Sequence, residues 1–169
     1  MEMNNTSRLI SPLTLVVVLN VLTQLPKVMA EEFQYVGNNK CIACHRPEYQ
    51  SWQKDSHALA LDDLKPGIKV EAKAKAKLDP KKDFTTDASC LVCHSVGYGK
   101  PAAPGADLTN VGCESCHGPG GIDKSLAAHA GLTEPTERVC ITCHNAKSPT
   151  WKGFVYKKMI ESVQHTKQP

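Results

Sequence analysis

Four pentapeptides dominate the sequence: Cys41-Ile42-Ala43-Cys44-His45, Cys90-Leu91-Val92-Cys93-His94, Cys113-Glu114-Ser115-Cys116-His117 and Cys140-Ile141-Thr142-Cys143-His144. Together they use all eight cysteines. Two intervening residues set a pair of sulfurs at the separation needed for thioether bonds to both vinyl groups of a haem. The imidazole that follows then lies under the iron as proximal ligand. Disulfides, zinc ribbons and thioredoxin-like redox pairs also use C-x-x-C, but none requires a histidine after every pair. The pattern implies four covalent haem c groups, attached through Cys41, Cys44, Cys90, Cys93, Cys113, Cys116, Cys140 and Cys143. His45, His94, His117 and His144 are the proximal iron ligands.

Haem also answers a packing problem. Aromatic residues make up 5% of the chain and hydrophobic residues 41%, part of which belongs to an apolar N-terminus. Residues 1–30 read as a secretory signal: Arg8 marks the positive start, Leu13 to Leu22 the apolar segment, and Val28-Met29-Ala30 a small-residue exit. Asn20, Thr23 and Gln24 interrupt the apolar stretch, which falls short of the ~20 residues a bilayer needs, so cleavage is expected over an uncleaved anchor. Residues 31–169 are then one domain, secreted to the periplasm, with roughly 35 residues for each haem and the haems as its core. The apoprotein is expected to be largely unfolded. A formal charge of +3 is too small to imply nucleic acid. About eight haem propionates would reverse it, so the lysine excess balances the cofactors.

The expected fold is mainly α, a small single-domain multihaem cytochrome c of short helices and loops. Pro47 stands at a helix start, with Tyr49, Trp52 and Leu59 at helical intervals through Glu48 to Leu61. Ile68 to Leu78 reads as a solvated Ala/Lys-rich helix ended by Asp79-Pro80; its lysines at 69, 73, 75 and 77 are either a solvated face or a docking patch. Lys124 to Ala130, Thr136 to His144 and Tyr156 to His165 are further helices. Pro101 to Gly105 and Gly118-Pro119-Gly120-Gly121 are loops.

The remaining histidines are His57, His129 and His165, three distal candidates for four irons. Met159 is the single methionine beyond the signal, so bis-histidine ligation should dominate and keep potentials low. His57 lies twelve residues beyond His45, ~15 to 18 Å along a helix. It therefore reaches a neighbouring iron unless the chain doubles back. The count leaves one iron short of a ligand and does not say which.

The runs Lys40 to His45, Ser51-Trp52, Ser56-His57-Ala58, Leu64-Lys65-Pro66 and Ala76 to Pro80 resemble the cytochrome c-554 family of ammonia-oxidising bacteria. Val111 to Gly120 and Trp151-Lys152-Gly153 extend the resemblance. It implies a periplasmic electron carrier that takes electrons from a hydroxylamine oxidoreductase-like donor. A membrane-bound cytochrome or quinone-linked acceptor receives them, and no catalytic residue is required. It further implies that His57 ligates the third haem, His129 the first and His165 the fourth, leaving the second five-coordinate. An iron with a free position also admits a second reading, reduction of nitric oxide or a related small molecule there.

Overall fold

The computed structural model describes residues 33–121 and 131–165. The expected signal over 1–30, the expected helix over 124–130 and His129 lie outside them. Residues Glu31–Pro169 form one compact unit. The described part is helical, with isolated bridges in place of a sheet: Gln34 with Gly121, Tyr35 with Ala102 and Ser95 with Thr109. Its helices are α1 (Asn38–Cys41), α2 (Arg46–Trp52), α3 (Val70–Lys75), α4 (Ala88–His94), α5 (Cys113–His117), α6 (Glu137–Cys140) and α7 (Tyr156–Val163), with 3-10 turns at Ser56–Leu59 and Asp62–Leu64. Among the described residues, no helix is long and apolar enough to cross a membrane.

The helices are short because the sequence stops each of them early. Helix α5 has a glycine on either side; Gly118 adopts φ 85° and returns its N–H to the Glu114 carbonyl, a left-handed exit that favours glycine. The single helix expected from Glu48 to Leu61 is instead two pieces. Helix α2 ends at Trp52, and Asp55, in extended backbone, accepts the His57 N–H and opens a 3-10 turn. An aspartate that bonds the backbone two residues on offers the chain an alternative to the helical ladder, and here that alternative wins.

The lysine-rich helix is also shorter than its pattern suggests, running from Val70 to Lys75 between Lys69 (φ 52°) and Lys77 (φ 59°). Lys73 does not face solvent. It is buried, donates to the Lys65 carbonyl at 2.6 Å and lies 5.6 Å from the Phe84 ring centre, while Lys82 covers the same ring at 4.8 Å. One of the four candidate docking lysines is thus a packing residue, and Lys69 is paired with Asp63 at 3.8 Å.

The described residues bury few apolar side chains: Val36, Ala60, Leu64, Phe84 and Val96. By contrast, Leu59, Val92, Ile141 and Val155 are 46% to 62% exposed. A fold whose apolar side chains find so little protein cover is built to be covered by something else.

Candidate haem-binding site

Helix α1, which ends at the first motif, packs on α2 and on α5; α5 in turn packs on α6. Polar side chains weld these contacts. Asn38 is fully buried; its Oδ1 accepts from the Cys113 N–H at 3.0 Å and its Nδ2 donates to the Thr109 carbonyl at 3.2 Å. Gly112 has to be glycine for this approach, since a Cβ there would lie 1.8 Å from Asn38 Oδ1. The Glu114 carboxylate, 2% exposed, accepts from Val36 N (3.0 Å), Gly37 N (2.8 Å) and Gly120 N (2.7 Å). Receiving only donors is the pattern of an ionised carboxylate. Burial, then the charge of Glu114, pushes the Tyr35 phenol above its usual range.

The same hub holds the segment that carries His57. Trp52 Nε1 donates to the Val111 carbonyl at 2.9 Å, Val111 N donates to the His57 carbonyl at 3.1 Å, and Leu61 N donates to Asn110 Oδ1 at 2.8 Å. Residues 109–114 therefore anchor the first motif, the His57 turn and the third motif together.

The cysteines show how the motifs adjoin. As free thiols, Cys41 is raised and Cys113 lowered, each chiefly by the other's side chain, with burial adding to the rise of Cys41. Burial pushes Cys93 up to about 11, with a hydrogen bond to Cys143 as the next cause. Burial also pushes Cys116 up to about 11, and the neighbouring Cys140 comes second. The first motif thus lies against the third and the third against the fourth, and Cys143 of the fourth is felt at Cys93 of the second.

The histidines fall into pairs. The ring centres of His57 and His144 are 6.0 Å apart with an interplanar angle of 77°, and those of His117 and His165 are 6.0 Å apart at 33°. Two metal–nitrogen bonds of ~2 Å, with each ring centre ~1 Å behind its nitrogen, put two imidazoles on one iron about 6 Å apart. The spacing therefore fits a shared iron in both pairs. The pairing differs from the one the resemblance implied: His57 meets the fourth motif rather than the third, and His165 the third rather than the fourth. Asp55 holds the Nδ1 side of the His57 ring, and α7 ends two residues before His165 and delivers it beside His117.

The second nitrogens agree with ligation through Nε2. His57 Nδ1 lies 2.9 Å from Asp55 Oδ1, His117 Nδ1 lies 3.1 Å from the Thr133 carbonyl, and His94 Nδ1 lies 2.5 Å from the Ala60 carbonyl. His144 stacks on Phe154 at 5.1 Å; burial, then the nearby His57, lowers its pKa and favours the neutral, metal-binding form. Nδ1 of His165 is a buried nitrogen without a hydrogen-bond partner. Among the described residues, no second histidine ring pairs with His94. His129 lies outside them.

Sequence reasoning singled out the cysteines and histidines but missed Asn38, Asp55 and Glu114. A glutamate between the cysteines of the third motif and an Asp-x-His at a helix break were their visible signals.

Paired cysteines, each pair followed by histidine, on short helices with sparse apolar cover and histidines spaced for iron define a c-type cytochrome with covalently bound haem. The comparisons agree. The family model described as cytochrome c554 and c-prime matches residues 40–118. Cytochrome c-554 of Nitrosomonas europaea is 39% identical over 150 residues, which cover 74% of this chain and 64% of that protein. The reduced-state structure of cytochrome c554 from the same organism superposes with a TM-score of 0.60 at 35% identity, over 80% of each chain. The chain belongs to the cytochrome c554 family.

Proposed function

We propose that this chain is a periplasmic electron carrier with four haem c groups, held by the four C-x-x-C-H motifs. It accepts electrons from a hydroxylamine oxidoreductase-like donor and passes them towards a membrane-bound cytochrome or the quinone pool. Residues 1–30 act as its cleaved secretory signal. The observation that carries this reading is the pair of 6.0 Å histidine contacts, each bringing a proximal histidine to a second imidazole. Haem iron supplies the one-electron ferric/ferrous couple.

The protein's part is positional. Asn38 and Glu114 lock the first motif to the third, and the packing of α5 on α6 continues the series to the fourth. Four attachment points in one connected series are what an electron carrier needs. With a second histidine beside each of His144 and His117, two irons held there would have no free position for a substrate. Mass determination of the mature holoprotein tests haem number and signal cleavage together. Rapid-mixing reduction by hydroxylamine oxidoreductase tests the role; failure to accept electrons at useful rates would defeat it.

A second reading is reduction of nitric oxide or a related small molecule at the second haem. It is favoured by His94, which is anchored to Ala60 and has no histidine ring paired with it among the described residues. One high-spin signal that responds to nitric oxide, with turnover, would support it. Irons that are all low-spin and insensitive to added ligand would eliminate it.

A further inference from the structure

Asp55 does two things with one atom. Its Oδ1 accepts the backbone N–H of His57 at 2.7 Å and lies 2.9 Å from His57 Nδ1. A carboxylate that is a pure acceptor fixes the proton on Nδ1, so the lone pair is on Nε2. The backbone bond fixes where the ring starts, and the ring bond fixes its rotation. The pair is sheltered, with side-chain exposures of 27% for His57 and 16% for Asp55, so water screens the interaction only in part. The contrast with the other sites is one of charge. His94 and His117 turn Nδ1 to neutral carbonyls of Ala60 and Thr133, whereas His57 turns it to an anion.

We propose that Asp55 is a positioning residue that orients His57 and lowers the reduction potential of the iron shared by His57 and His144. The inference rests on the haem-binding reading given above. An anionic acceptor on Nδ1 pulls the N–H proton towards itself and makes the ring a stronger donor at Nε2. A stronger donor stabilises the ferric state over the ferrous one, and the potential falls.

The test uses the four-haem holoprotein, with spectroelectrochemistry for the potentials and EPR for the spin states. Asp55→Asn keeps an acceptor oxygen and removes the charge. It should raise one midpoint potential clearly more than the other three, with every iron in its wild-type spin state. Asp55→Ala loses the orienting bonds as well; it should raise the same midpoint and turn part of that iron high-spin, and Asp55→Glu should recover the low potential in part. His57→Ala is the control for the premise and should convert one low-spin iron to high-spin. If His57→Ala frees an iron but Asp55→Asn moves no potential, the role of Asp55 fails while the ligand assignment stands. If His57→Ala changes no spin state, the ligand assignment fails and Asp55's role falls with it.

Discussion

His117 and His165 stand with ring centres 6.0 Å apart and planes inclined by 33°, although 47 residues separate them in the chain. The other pair, His57 and His144, has the same separation and an angle of 77°. Two imidazoles on one haem iron in near-parallel planes split the pair of iron dπ orbitals, dxz and dyz, that project out of the porphyrin plane, and near-perpendicular planes leave them almost degenerate. The two irons should therefore give different low-spin EPR signals, one rhombic and one strongly anisotropic. His165→Ala should abolish the rhombic signal and His57→Ala the anisotropic one, each with a new high-spin signal. Loss of the opposite signal in each variant would contradict the ring geometry of these two pairs.

Glu114 supports the joint between the first and third motifs with one buried carboxylate and backbone donors at Val36, Gly37 and Gly120. Glu114→Gln keeps the shape but turns an amide N–H₂ towards one set of these donors. The expected loss is about 1–3 kcal/mol, the cost of leaving buried hydrogen-bonding groups unpaired. Denaturant unfolding of the holoprotein reads it as a lower midpoint, and an unchanged midpoint would show that the joint is held elsewhere.

Gly112 and Asn38 are coupled through space. A Cβ on residue 112 meets Asn38 Oδ1 at 1.8 Å, so Gly112→Ala should destabilise by roughly 1–3 kcal/mol, as overpacked sites do. Asn38→Ala loses the bonds to Cys113 and Thr109 and should cost a similar amount. The double variant should cost clearly less than the two single losses combined, because the clash needs both side chains. Strict additivity would contradict the contact.

Asp87 caps α4, which carries the second motif, and hydrogen bonds from the Ser89 hydroxyl and then its N–H hold the carboxyl below its ordinary pKa. A lowered folded-state pKa means that the unfolded chain takes up the proton first. The stabilisation is therefore present above about pH 4 and lost as pH falls further. Thermal midpoints between pH 5 and pH 3 should drop more steeply for the wild type than for Asp87→Asn. Parallel curves would remove the cap from the account.

Protein made without haem attachment should lack a cooperative fold, because among the described residues the buried apolar side chains, Val36, Ala60, Leu64, Phe84 and Val96, are too few to oppose chain entropy. Circular dichroism with thermal melting checks this. A sharp haem-free transition would show that the polypeptide core suffices.

The resemblance carried by the sequence identified the family, and the motifs carried the covalent haem chemistry, because that chemistry is local: sulfur, sulfur and imidazole must sit at a fixed spacing along one turn of chain. The helical class was legible for the same reason. Helix ends were less legible. The break after Trp52 depends on Asp55 outcompeting the helical ladder, and the inward turn of Lys73 depends on Phe84, eleven residues away. Tertiary structure decided which histidine meets which, as in the 6.0 Å approach of His165 to His117, because that turns on how the hub at residues 109–114 and helix α7 place distant segments. Spacing along the chain fixes the attachment of a haem, whereas its second ligand is a contact in space that no periodicity records.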